Sequence, residues 1–176
     1  MKTLTLILLS LTALTAAPPA IGERAPDFTL SNLKGEPRKL SDATAQGPVV
    51  LLLLRGFPGY QCPLCNRQVT EFVKNGPAFA AAGARVVMVY PGPKNNLELK
   101  AKEFTLGKNL PSHFELLVDP DYGMTNLYQL RWDAPNETAY PSTFVIDAKG
   151  VITFVKISNS HGGRTTAAEI LSALKR

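Results

Sequence analysis

Six consecutive apolar residues, Val49 to Leu54, break off at Arg55-Gly56, and the chain's only two cysteines, Cys62 and Cys65, follow one short loop later. An unbroken apolar run bounded by turn signals suits a strand buried on both faces of a sheet. The loop carries Pro58-Gly59, and Pro63-Leu64 separates the cysteines. Proline is tolerated in a helix's first turn because its missing N–H would be unpaired there anyway. Leu64, Val69, Phe72 and Val73 then recur at helical spacing until Asn75-Gly76-Pro77. The stretch therefore predicts a buried strand, a tight turn and two thiols at a helix N-terminus. Free N–H groups and the helix dipole favour thiolate over thiol at such a place. So close a pair closes too small a loop to be a useful staple, whereas proximity lets the bond form and break. The spacing favours redox chemistry. A closed zinc site takes four ligands, and only His113 and His161 remain to join the cysteines.

The rest of the chain supplies a frame. Asp27–Leu30 alternates like a strand, and Arg38–Leu40 can return beside it across the turn at Asn32–Gly35. Ser41–Gly47 reads as loop or short turn, and Pro77–Gly83 as one or two further helical turns. Arg85–Tyr90 is a second buried strand, ended by Pro91-Gly92-Pro93. Leu97–Phe104 reads as helix, Phe114–Val118 as strand and Gly123–Leu130 as helix. Thr143–Ile146 and Val151–Ile157 form a hairpin across Asp147–Gly150. Thr166-Ala167-Ala168-Glu169 is a capping box opening a last helix. This order predicts an α/β fold, a mixed central sheet with helices on both faces.

At 176 residues and 45% apolar content the chain suits one domain with a real core. Its net charge of +5 comes from scattered Lys and Arg, which argues against a nucleic-acid footprint. Lys2, the apolar run Leu4–Leu14 and the small residues Thr15-Ala16-Ala17 have the anatomy of a secretory signal. The run is shorter than the roughly 20 residues of a membrane-spanning helix. Residues 1–17 are therefore expected to be a leader and 18–176 one redoxin domain. The expected location is periplasmic or extracellular, without stable membrane insertion after the leader is removed. Disulfides persist in such compartments.

Ala25-Pro26-Asp27-Phe28-Thr29-Leu30, the strand into Arg55-Gly56, Cys62-Pro63-Leu64-Cys65 and Pro141-Ser142-Thr143-Phe144-Val145-Ile146-Asp147 together resemble the peroxiredoxin-like and thioredoxin-like redoxins of the alkyl hydroperoxide reductase/thiol-specific antioxidant type. The resemblance runs from about Gly22 to the last helix. It implies a thioredoxin fold and an antioxidant oxidoreductase that needs no cofactor. A redox-active Cys62–Cys65 disulfide would be reduced by an external thiol donor.

Two mechanisms follow from it. The peroxiredoxin signature Pro-x-x-x-Thr/Ser-x-x-Cys lays its proline on Pro58 and its attacking cysteine on Cys65, with Cys62 where the hydroxyl belongs. Cys65 thiolate would then attack a hydroperoxide and become a sulfenic acid, Cys62 would condense with it, and Arg55 would stabilise the thiolate. The group's arginine before the late strand is replaced by Tyr140-Pro141; Arg164 is a substitute only if it is more than a loop arginine. In the alternative, a thioredoxin-like thiol–disulfide oxidoreductase of the cell envelope, Cys62 attacks a protein disulfide and Cys65 resolves the mixed disulfide. Pro141, as a cis-proline, would pair with the substrate backbone. Tyr60 and Gln61 are expected to shape the entrance, and Trp132 and Tyr140 either to line its mouth or to pack under the loop. A copper-binding chaperone with His161 as third ligand is the remaining, non-enzymatic reading.

Overall fold

A computed structural model describes residues 17–175. Apart from Ala17, the expected leader lies outside the described residues. The elements in chain order are β1 (Thr29–Asn32), β2 (Pro37–Lys39), α1 (Leu40–Thr44), β3 (Val49–Leu53), α2 (Pro63–Lys74), α3 (Gly76–Ala81), β4 (Arg85–Gly92), α4 (Leu97–Thr105), β5 (Phe114–Pro120), α5 (Gly123–Leu127), β6 (Ser142–Ile146), β7 (Ile152–Ile157) and α6 (Ala167–Ala173). The strands form a single mixed sheet in the order β2-β1-β5-β4-β3-β6-β7. β3, β4 and β5 run parallel, whereas β6 lies antiparallel to β3, and β7 to β6. This is the mixed α/β architecture expected; α3 supplies the further helical turns read after α2, while α1 is a regular helix where a loop or short turn was expected.

The unbroken apolar run of β3 is explained by its central position. Val50, Leu52 and Leu54 join a core with α2 (Val69, Phe72), α3 (Phe79), α4 (Ala101, Phe104) and α6 (Ile170). Val49, Leu51 and Leu53 face the opposite core with Leu40 of α1, Met124 of α5 and Phe144 of β6. Both faces of β3 are thus buried, the pattern such a run predicts. Thr166 caps α6 by accepting from the Glu169 N–H at 3.2 Å, one half of the capping box, while the Glu169 carboxylate turns to Lys156 at 3.0 Å.

β4 continues two residues beyond its expected end, through Pro91 to Gly92. Proline fits there because the Pro91 carbonyl carries the contact, accepting from Phe57 N–H at 3.1 Å. At this crossing Gly56 adopts φ 68°, and a Cβ on it would stand 1.8 Å from Pro91 O. Only glycine allows the chain leaving β3 to turn so close to β4. The turn delivers residues 57–62 to the carboxyl end of the central parallel strands, where open α/β sheets place their ligand sites.

Candidate active site

Cys62 is the N-cap of α2, in extended conformation (φ −72°, ψ 113°), and its Sγ accepts the Cys65 N–H at 3.3 Å. Cys65 lies one turn into the helix with Sγ facing the sheet, where it accepts the Arg55 N–H at 3.4 Å. Both thiols are free. Cys65 is wholly buried and Cys62 is 3% exposed. The two sulfurs titrate apart. Cys62 is lowered to about 5, first by the hydrogen bond from the Cys65 thiol, then by the Cys65 N–H, the Arg164 charge and the Leu64 N–H, against the cost of burial. Cys65 is pushed well above the ordinary thiol range, chiefly by burial and then by its bond to Cys62. At neutral pH the pair is a Cys62 thiolate beside a Cys65 thiol, the division a helix N-terminus favours.

Arg164 is the residue that sequence reasoning undervalued. It arrives from the loop after β7 and sets Nη2 3.7 Å from Cys62 Sγ, while Nη1 reaches Gln68 Oε1 at 3.3 Å and Nε the His161 carbonyl at 2.9 Å. It is therefore more than a loop arginine. The only sequence signal was the lack of an arginine before β6; nothing local marked its replacement. Beside it, α2 and the 161–166 loop enclose an open groove of about 200 Å³, lined by Leu64, Arg67, Gln68, Glu71 and Arg164.

Arg55 does not take the place expected of it. The residue is 1% exposed and its guanidinium is taken up by other partners than the thiols. Nε donates to Glu137 Oε2 at 2.7 Å, Nη1 to Tyr60 Oη at 2.7 Å and Nη2 to the Asn136 carbonyl at 2.6 Å. Its own carbonyl accepts from Thr138 Oγ1. Only its backbone N–H touches a sulfur. The reason is the carboxylate of Glu137, which outcompetes a thiol as partner for a buried guanidinium. Glu137 is held below the usual carboxylate range by Arg55 and then by His161, although burial opposes this. Glu137 lay in a polar, irregular stretch and carried no sequence signal.

The other expected residues sort clearly. Tyr60 stands 48% exposed at the rim, with the Arg55 guanidinium 5.1 Å from its ring centre. Gln61 is a tether: Oε1 accepts from Tyr90 Oη at 2.8 Å and Nε2 donates to the Lys100 carbonyl at 2.8 Å. Pro58 sits, half-buried, at the bend entering this loop. Pro141 is buried at the entry to β6, but among the described residues every peptide bond is trans, which corrects the cis-proline expectation. Trans is the favoured isomer of an X–Pro bond by about 0.5–1 kcal/mol, so the trans form needs no special constraint. Trp132 and Tyr140 stack at 4.9 Å and 9°, with His161 5.3 Å from the indole. His161 Nε2 bonds Glu137 Oε1 at 2.8 Å, so it is spent on that carboxylate, and the copper triad of Cys62, Cys65 and His161 is not assembled. Among the described residues no three His, Cys, Asp or Glu side chains gather as metal ligands.

Comparison with known proteins places the chain among thiol oxidoreductases. The chain is 30% identical over 134 residues to a thiol-disulfide oxidoreductase ResA of Geobacillus kaustophilus, covering 76% of this chain and 67% of that protein. It is 29% identical over 136 residues to the peroxiredoxin Bcp of Bacillus subtilis, covering 74% and 80%. Among solved structures, the peroxidoxin BcpB of Mycobacterium tuberculosis superposes with a TM-score of 0.67 at 23% identity over 91% of this chain and 96% of that one. Reduced Prx3 of Vibrio vulnificus in complex with hydrogen peroxide gives 0.73 at 22% identity over 89% and 99%. These two show a shared thioredoxin-type fold. The AhpC/TSA family pattern matches residues 21–155, which hold both cysteines and all seven strands but the last two residues of β7. The chain is a thiol oxidoreductase of thioredoxin fold and belongs to the AhpC/TSA family.

Proposed function

We propose that the protein is a peroxiredoxin-like thiol peroxidase in which Cys62, rather than Cys65, attacks the hydroperoxide. The observation that carries this reading is the Arg164 guanidinium 3.7 Å from the Cys62 sulfur, on a thiol already lowered to about 5. Thiolate is the reactive species, and a cation beside it stabilises the oxygen that departs. Cys62 Sγ takes the near oxygen of the peroxide, the O–O bond breaks, and the leaving hydroxide or alkoxide takes up a proton from water. Cys62 is then a sulfenic acid.

Oxidation of Cys62 removes the charge beside Cys65, one of the causes holding its thiol protonated. Cys65 can then ionise and attack the sulfenic sulfur, forming a disulfide and releasing water. An external dithiol reduces that disulfide by exchange, attacking one sulfur and closing its own disulfide. The net reaction consumes one peroxide and one dithiol and yields the alcohol or water, a second water and the donor's disulfide.

Thiol–disulfide exchange is the second reading. A thiolate N-cap with a protonated partner three residues on suits attack on a disulfide as well as on a peroxide, and the ResA relative carries that activity in its name. The two readings share the attacking atom and differ in substrate. The reduced protein, mixed separately with hydrogen peroxide and a model disulfide, distinguishes them. The peroxidase reading expects fast sulfenate at Cys62 that persists in Cys65→Ser and is lost in Cys62→Ser; reaction with the disulfide alone overturns it.

Export on the residues 1–17 leader, with 18–176 as the mature redoxin domain, belongs to the same proposal. An apolar run behind Lys2 supports it, and cell fractionation that finds the chain unprocessed and absent from the envelope and secreted fractions refutes it.

A further inference from the structure

Arg164 is poorly equipped to hold itself at Cys62. Its two side-chain contacts are long, 3.3 Å to Gln68 and 3.7 Å to the sulfur. It is half-buried, and its loop carries the adjacent glycines Gly162 and Gly163, which widen the backbone freedom of the segment. Fixing an arginine side chain in one rotamer also costs conformational entropy. Something else must hold the loop.

Ser158 Oγ pins the start of the loop on the Ser160 and Gly162 carbonyls, and Thr165 Oγ1 pins its end on Gln68 and Thr143; between them the loop is clasped through the His161 imidazole. Its Nε2 bonds Glu137 Oε1 at 2.8 Å, and the other oxygen of Glu137 receives Arg55 Nε at 2.7 Å. Arg55 is fixed at the end of β3 by burial and by Tyr60 and Asn136. The Trp132 ring lies beside the imidazole at 5.3 Å, tilted by 55°, and is itself stacked on Tyr140. The Arg164 Nε–H then grips the His161 carbonyl. A continuous path thus runs from a buried arginine through a carboxylate and an imidazole to the guanidinium on the reactive sulfur. Arg55 and Glu137 lie inside residues 21–155, the span of the family match, and His161 and Arg164 lie beyond it.

We infer that Glu137 and His161 are positioning residues that fix the loop after β7 so that the Arg164 guanidinium stays on the Cys62 sulfur. The inference rests on the reading of Cys62 as the attacking thiolate. The titratable groups bearing on Cys62 are Cys65 and Tyr90 from the sheet and α2, and Arg164 from the loop; only Arg164 answers to the clasp.

The test follows alkylation of the reduced full-length protein by iodoacetamide as a function of pH, with the modified cysteine located by peptide mass spectrometry. The side chain of His161 is 44% exposed, so its removal spares the core. His161→Ala is expected to slow Cys62 alkylation at pH 5 by about fivefold, the effect of a one-unit rise in a thiol that titrates near that pH. Arg164→Ala should match it, and the double variant should lose nothing further, because both remove one interaction. His161→Gln, whose amide keeps a donor for Glu137, should restore the original profile. A merely structural histidine would change melting and leave this profile in place. An unchanged profile in a folded His161→Ala protein, against a wild type that alkylates readily at pH 5, overturns the positioning role and leaves Cys62 as attacker. A wild type whose Cys62 alkylates only at alkaline pH overturns both.

Discussion

Arg55→Met separates a structural arginine from a catalytic one. The residue is 1% exposed, and its guanidinium makes three charge-assisted hydrogen bonds of 2.6–2.7 Å to Glu137, Tyr60 and Asn136. Their loss is uneven. Tyr60 and Asn136 are exposed and can take water in exchange. Glu137, only 11% exposed, keeps His161 and loses the stronger partner. Removing one member of a buried ion pair costs about 3–5 kcal/mol, and the remaining imidazole places this case at the lower end, about 3 kcal/mol. For a domain of this size that corresponds to a melting point lower by about 6–12 °C. Urea unfolding of Arg55→Met, Glu137→Leu and the double variant measures it, with a coupling of about 1.5 kcal/mol or more expected between the two sites. A loss below about 1 kcal/mol with no coupling would refute the reasoning and return Arg55 to the thiols.

Three further outcomes follow from the same geometry. Arg164→Ala should raise the Cys62 pKa by about one unit: opposite charges about 4 Å apart interact by ~1 kcal/mol in water and ~4 at an effective dielectric of 20, and a half-exposed guanidinium belongs near the first value. Thiolate absorbance at 240 nm during a pH titration reads this directly, and no shift refutes it. The reduced protein should gain stability as pH rises from about 5 towards the unfolded thiol value of ~8.5, because the lowered folded pKa of Cys62 means the unfolded chain binds more protons there; that contribution is complete above the window and absent below it, and Cys62→Ser should flatten the rise in denaturant midpoint. Gly56→Ala should cost about 3 kcal/mol or prevent folding, since its Cβ would meet Pro91 O at 1.8 Å on a backbone of φ 68°; soluble protein with an unchanged midpoint would contradict the crossing.

The sheet was legible because its signals are local. Val49–Leu54 and Arg85–Tyr90 announced doubly buried strands by uninterrupted apolarity, and Thr166 to Glu169 announced a cap by spacing alone. The cysteine pair was legible for the same reason: three residues and a proline define a helix N-terminus. What surrounds it was not. Glu137 meets Arg55 across 82 positions, and Arg164 meets Cys62 across 102. Such contacts are set by which loops the sheet order brings to one end, and no periodicity records that. Arg55 was expected at the thiols from its nearness in sequence. Its backbone is there, while its side chain follows a carboxylate that only the tertiary fold supplies. Lacking that fold, the signature placed attack on Cys65, whereas burial of Cys65 and the N-cap position of Cys62 support the opposite order.

The unequal protonation of the two sulfurs also sets how electrons and protons are counted. With Cys62 charged and Cys65 neutral, reduction of the disulfide takes up two electrons but a single proton. The midpoint potential of the couple should therefore fall by about 30 mV per pH unit around neutrality, half the slope of a pair that protonates fully. The charge that the N-cap and Arg164 stabilise exists only in the dithiol form. The architecture that makes Cys62 reactive thus favours the reduced state of the pair and makes its disulfide the more readily reduced.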